Sequence, residues 1–190
     1  RISDETPLDV VLDPQLQHIA PPSELTDITK AADRLQTAIR DGERIGVLTD
    51  YDADGLTSHA VITESLQRFG VSPENISHWI GHRLEDGYGI SETLVDRLLE
   101  SLPVPQVVIS ADCGSSDEVQ IVRLKDAGVD VIVTDHHRVS DRGPPASAWA
   151  VVNPNRADCR YPDKAIAGCM VSWLVMSFLR QRLIDQGVLV

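Results

Sequence analysis

The chain alternates short apolar runs with stretches of helical spacing, and this alternation limits its fold more than any other feature. R-I-G-V-L-T (44–49), N-I-S-H-W-I (75–80), V-V-I-S-A (107–111), V-D-V-I-V-T (129–134) and a short W-A-V-V (149–152) are the strand candidates. Helical patterns at 55–69, 91–101 and 115–127 separate the first four. Strands that are apolar on both faces must be covered on both faces, and helices between them join them in parallel. The sequence therefore predicts an α/β fold: an open, five-stranded, mainly parallel sheet with helices on both faces.

An earlier helix is predicted from the spacing of Ile28, Ala31, Leu35, Ala38 and Ile39, capped by Thr26 and ending near Gly42. A long apolar C-terminal helix from Lys164 to about Gln186 carries Met170, Trp173, Leu174, Met176, Phe178 and Leu179. It is expected to pack on the sheet or to lead to a further domain. Residues 1–22, broken by Pro7, Pro14, Pro21 and Pro22, read as an N-terminal arm, and residues 23–190 as one domain. A length of 190 residues with 42% apolar content suits one sizeable core and not two.

In open parallel sheets, ligands bind beyond the carboxyl ends of the strands, where strand order reverses. The segments after the first four strands are T-D-Y-D-A-D-G, G-H-R-L-E-D-G-Y-G, A-D-C-G-S-S and T-D-H-H-R. Asp52, Asp54, Asp112, Asp135, His136 and His137 would converge there. Oxygen donors with one or two imidazoles suit Mn²⁺ or Mg²⁺. The three cysteines, at 113, 159 and 169, have no C-x-x-C spacing, so zinc is disfavoured and reduced thiols are expected. Two such cations, about 3.5–4 Å apart, would support metal-dependent phosphoester hydrolysis.

Blander readings exist for each residue alone. A D-x-D loop is commonly a solvated turn, and Asp112 or Asp135 could cap a helix or a turn. Their coincidence at the strand ends favours a metal site. Neighbouring side chains in an extended segment point apart, so one of His136 and His137 is expected to ligate and the other to meet substrate. His18, His59 and His78 have no candidate ligands beside them at a strand end. Cys113 lacks a base and is expected to pack as a small buried group rather than act as a nucleophile. Tyr88, between Gly87 and Gly89, either stacks a base or closes a turn.

Net charge is −12, from 29 acidic and 17 basic residues, the wrong sign for general electrostatic binding of a polyanion. Such a partner would need bound cations, positioned arginines or another domain. No run approaches eighteen uncharged apolar residues, and the opening residues lack the order of a signal peptide. A cytoplasmic protein with no membrane partner is the expectation.

D-Y-D-A-D-G-L-T-S (50–58), H-R-L-E-D-G-Y-G (82–89), A-D-C-G (111–114), T-D-H-H (134–137), V-V-N-P-N (151–155) and I-A-G (166–168) together resemble the DHH phosphoesterase family, within it the bacterial single-strand-specific DNA exonucleases. The resemblance covers nearly the whole chain. It implies a two-metal, Mn²⁺-preferring hydrolase, with Mg²⁺ as the alternative ion, that removes mononucleotides from the 5′ end of single-stranded DNA in recombination and repair, alongside repair proteins as partners. It implies Asp52, Asp54, Asp112 and His136 as metal ligands, with Asp50 and Asp135 supporting. Asp112, His136 and His137 would be catalytic, with His137 near the scissile phosphate. Arg83 is chosen as a phosphate contact because a planar guanidinium suits phosphate.

Leu48 stands where the pyrophosphatase and oligoribonuclease branches carry a histidine, which disfavours their chemistry. Asp185 is the sole carboxylate after Lys164, so the family's further aspartate ligand and second domain are expected outside this sequence, leaving an incomplete catalytic half. A silent scaffold module and a small-nucleotide phosphodiesterase are the alternatives.

Overall fold

The computed structural model describes residues 12–13 and 15–189. Five strands form one sheet: β1 (Ile45–Thr49), β2 (Ile76–Ile80), β3 (Val107–Ala111), β4 (Asp130–Thr134) and β5 (Ala150–Val152). Their order is β2-β1-β3-β4-β5, and every pairing is parallel. The helices are α1 (Ile28–Asp41), α2 (Ala53–Arg68), α3 (Glu92–Leu99), α4 (Glu118–Asp126) and α5 (Gly168–Asp185). This is the expected α/β architecture. Most of the expected arm, 1–22, lies outside the described residues; its described part includes a 3₁₀ turn at Leu16–His18.

Strand side chains alternate between two cores, as the period of an extended chain requires. Ile45, Val47, Ile109, Ile132 and Val152 face α1, α2 and α5, where they meet Leu35, Ile62, Leu66, Leu174 and Leu179. Leu48, Val108, Val131, Val133 and Val151 face α3 and α4, against Leu94, Leu98, Ile121 and Leu124. Among the described residues, no helix is long and apolar enough to cross a membrane.

Four helix starts differ from the sequence reading, each through a local hydrogen bond or turn. Thr26 does not cap α1: its hydroxyl donates to the Asp158 carbonyl, and Asp27, at φ +64, precedes the helix. The Asp27 carboxylate is taken by Arg156 and the Val151 N–H. α2 begins two residues early because Asp52 caps it, accepting from the N–H groups of Asp54 and Gly55. α4 begins at Glu118, since Gly114 at φ +114 and the Ser115 N–H bond to Asp135 hold the intervening turn. Asp112 therefore does not cap it. α5 begins at Gly168, because the Ile166 carbonyl meets His136 and Lys164 reaches back to the carbonyls of Pro154 and Cys159.

Leu174 is fully buried on the sheet side of α5. Leu174→Ala is expected to cost about 2–5 kcal/mol, read as a lower urea midpoint with an unchanged slope. A midpoint equal to that of the unaltered chain would contradict this packing.

Candidate metal centre

The strands end in step. Thr49, Ala111, Thr134 and Val152 are Cα partners across neighbouring strands, so the next residues, Asp50, Asp112, Asp135 and Asn153, stand in one row. Backbone bonds extend the ladder into that row, with the Asp112 N–H donating to Thr134 and the Asp135 N–H to Val152. All four side chains are buried. Strand order reverses between β1 and β3, so Asp50 and Asp112 flank the crevice where open sheets bind ligands. Asp112 has φ +60, a left-handed conformation that aspartate tolerates better than most residues.

Asp112 is 1% exposed, and its Oδ1 is buried without a hydrogen bond. Burial, followed by the charges of Asp54 and Asp52, pushes its carboxyl up to about 8. His136 faces it. The Nδ1 of His136 lies 2.8 Å from the Ile166 carbonyl, which can only accept, so Nδ1 carries a proton and, whenever the ring is neutral, Nε2 presents a lone pair. That Nε2 is 3.1 Å from Asp112 Oδ1 and 3.6 Å from Asp54 Oδ2. Acceptors aimed at acceptors require a proton or a cation between them.

Carboxylate oxygens of Asp50, Asp52 and Asp112 also lie within 4.8 Å of one another, as do ligand atoms of Asp112, His136 and His137. The unbonded oxygen and the oxygen-plus-imidazole donor set fit a hard divalent cation.

The surroundings fix each group. Asp52 Oδ1 is used by the α2 cap. Both oxygens of Asp54 accept from the first turn of α5, from the N–H groups of Gly168 and Cys169 at 2.7 Å each. Burial raises the Asp54 carboxyl, but these bonds outweigh it and hold the group below its ordinary value. Gly55 is required by space, because a Cβ there would overlap the Asp50 backbone.

Asp135 is fully engaged. Its Oδ1 accepts from the His136 and His137 N–H groups and from His137 Nδ1 at 2.8 Å, and its Oδ2 accepts from the Ser115 N–H. Burial works against its charge, yet these bonds hold it at about 2. The bond from Asp135 raises the His137 imidazole, and its Nε2 has no hydrogen-bond partner among the described residues.

Asp50, expected as a supporting group, also brings a carboxylate oxygen within 4.8 Å of oxygens of Asp52 and Asp112. Three residues that the sequence reading quoted only as pattern have clear places. A Cβ on Gly168 would lie 2.7 Å from Asp112 Oδ1, filling the space beside the unbonded oxygen. Asn153 donates to the His137 carbonyl and Ser115 Oγ, and Asn155 donates to the His136 carbonyl. The segment after the fifth strand thus contributes a clamp on the histidine backbone, a role that leaves no charge signature in sequence.

Arg83 is exposed, lies 5.9 Å over the Tyr51 ring and makes no ion pair among the described residues. Leu48 points into the α3/α4 core, away from the crevice. Cys113 is fully buried, and burial raises its thiol well above the ordinary value. His59 and His78 bond to each other at 2.8 Å, apart from the carboxylates.

Without a cation, Asp112 retains a proton that the unfolded chain releases near pH 4. Its folded value is raised, so the resulting penalty is absent below about pH 4 and grows to completion through about pH 8. In EDTA, the stability difference between the unaltered chain and Asp112→Asn is expected to widen over that window in favour of the asparagine. Urea midpoints measured at pH 4, 6 and 8 test this, and parallel profiles would contradict it.

The family described as "DHH family, N-terminal domain" matches residues 44–188. The single-stranded-DNA-specific exonuclease RecJ of Escherichia coli strain K12 is 38% identical over 176 residues, covering 93% of this chain and 30% of that protein. This chain thus spans about a third or less of the curated relatives it matches. The crystal structure of exonuclease RecJ bound to manganese superposes with a TM-score of 0.73 at 36% identity, over 84% of this chain and 38% of that one. RecJ from Thermus thermophilus in complex with Mn²⁺ gives 0.70 at 32% identity, over 90% and 23%. With the family match extending over most of its length and the sheet and strand-end residues arranged as described, the chain belongs to the DHH family.

Proposed function

We propose that this chain is the metal-binding catalytic part of a single-stranded-DNA exonuclease that hydrolyses phosphodiester bonds from the 5′ end in recombination and repair. The observation that carries the reading is the buried, unbonded Asp112 Oδ1 facing the lone pair of His136 and the other carboxylates. Sequence kinship to RecJ exonucleases, two of whose structures are manganese complexes, supports the substrate and the ion.

Asp52, Asp54, Asp112 and His136 would hold Mn²⁺, or Mg²⁺ in its place, with Asp50 close enough to join them. When bound, such ions supply positive charge for the phosphoryl oxygens and lower the pKa of an attacking water. The chain's own residues do the rest. His137, oriented by Asp135 through Nδ1, keeps an Nε2 that would hydrogen-bond the scissile phosphate or pass a proton to the leaving oxygen. Arg83, exposed and unpaired with any carboxylate among the described residues, is suited to a neighbouring phosphate.

Calorimetry with Mn²⁺ is expected to detect binding to the unaltered chain and none to Asp112→Ala. Gly168→Ala is expected to weaken it at least tenfold by crowding Asp112 Oδ1. Undiminished affinity in Asp112→Ala would remove that residue from the ligand set.

For activity, 5′-labelled single-stranded DNA should lose nucleotides in a Mn²⁺-dependent manner with this chain or with a version extended at its C-terminus. An extended protein that ignores DNA yet cleaves dinucleotides or pyrophosphate would overturn the reading. Arg83→Ala should raise KM several-fold while leaving Mn²⁺ affinity intact.

A further inference from the structure

Asp135 and His137 follow β4, the strand that lies between β3 and β5 in the sheet. Beside them, two buried side chains from segments after the flanking strands are bonded to each other, Ser115 after β3 and Asn153 after β5. The proposed mechanism gives neither a part. We propose that Ser115 and Asn153 are positioning residues for His137, closing a ring of hydrogen bonds that sets the direction of its imidazole; this rests on the exonuclease reading, in which that imidazole meets the scissile phosphate.

The side-chain nitrogen of Asn153 donates to the His137 carbonyl at 2.9 Å and to Ser115 Oγ at 2.8 Å. The Ser115 N–H donates to Asp135 Oδ2 at 3.0 Å, and Asp135 Oδ1 accepts from His137 Nδ1 at 2.8 Å. His137 is therefore gripped twice, at its backbone carbonyl and at its ring nitrogen, and the Ser115–Asn153 bond joins the two grips. Asp135 and the His137 backbone then cannot shift against each other without breaking a buried hydrogen bond, and buried networks that are fully satisfied are rigid.

Each member is set before substrate arrives. Asn153 is 0% exposed, Asp135 1% and Ser115 2%. The Asn153 Oδ1 accepts from the Asn155 N–H at 2.7 Å, and the His137 carbonyl can only accept, so the amide has a single orientation. Gly114 turns the chain that delivers Ser115: its φ is +114, and a Cβ on it would lie 2.8 Å from Ser110 Oγ and 3.0 Å from Val133 Cγ1. No bond of the ring ends on Asp52, Asp54, Asp112 or the His136 imidazole. The ring thus serves the group that meets the phosphate and not the carboxylates that hold the metal. A reacting group misplaced by about 1 Å loses roughly a hundredfold in rate.

Ser115→Ala is the mildest break in the ring, since it removes one hydroxyl and keeps the backbone N–H on Asp135. With Mn²⁺ and 5′-labelled single-stranded DNA, in this chain or a version extended at its C-terminus, it is expected to lower kcat roughly ten- to a hundredfold. KM and the calorimetric Mn²⁺ affinity should stay unchanged. Asn153→Ala should act alike, and the double variant should be no slower than the slower single one, because either change opens the same ring. A readout independent of turnover is the His137 Nδ1–H signal in ¹H–¹⁵N spectra with diamagnetic Mg²⁺. It should exchange slowly with water in the unaltered chain and roughly tenfold faster in Ser115→Ala, the scale of one lost buried hydrogen bond.

An unchanged kcat or an unchanged exchange rate in Ser115→Ala would overturn the proposal, and neither result depends on Asn153→Ala folding. So would losses that multiply in the double variant, or a fall in Mn²⁺ affinity that matches the fall in kcat. Nucleotide release by the unaltered chain or its extension leaves the exonuclease reading standing in all those cases, whereas no release from either overturns both.

Discussion

A buried carboxylate oxygen with no hydrogen-bond donor, facing an imidazole lone pair and other carboxylates, has to be neutralised by a proton or a cation, and the surrounding structure is arranged about Asp112 on that condition. The parallel register creates the problem by ending β1, β3 and β4 in step, each followed by an aspartate. The molecule answers it differently at each position. Asp135 receives four donors and is settled as an anion, and Asp54 receives two from a helix end. Asp112 receives none at Oδ1, which leaves it as the position where a cation gains most.

The two histidines divide in the same way. Each ring spends Nδ1 on the protein, His136 on a backbone carbonyl and His137 on Asp135, so each is fixed in tautomer and orientation with Nε2 left over. The Nε2 of His136 faces the carboxylates. The ring of His137 meets Tyr88 edge-on. The two rings nevertheless lie 4.5 Å apart and both bring a nitrogen within 4.8 Å of Asp112, so these neighbours converge where extended backbone would have pointed them apart.

The sheet was legible because a strand buried on both faces leaves an apolar run, and the candidate aspartates and histidines were legible because polar residues directly following such runs must lie at a sheet edge. What escaped was set by distances that no local pattern encodes. The nearness of Asp50 to Asp112 depends on strand register, and the requirement for Gly168 depends on how α5 approaches a different strand end. Asn153 and Asn155 act on backbone carbonyls, which every residue type presents alike. The helix starts shifted with particular hydrogen bonds: Asp52 caps α2 and begins it early, while Ile166, whose carbonyl is taken by His136, stays outside α5.

The first turn of α5 touches two of the candidate ligands, Gly168 against Asp112 and the N–H groups of Gly168 and Cys169 on Asp54. Its last turn is tied to α1 through Arg182 with Asp33 and Gln186 with Gln36. At about 100° of rotation per residue, one inserted or deleted residue between those ends would turn either the glycine away from Asp112 or the tether away from α1. The length of this helix is therefore frozen against drift among descendants of the sequence, while the exposed turn at 138–143 is free to gain or lose residues.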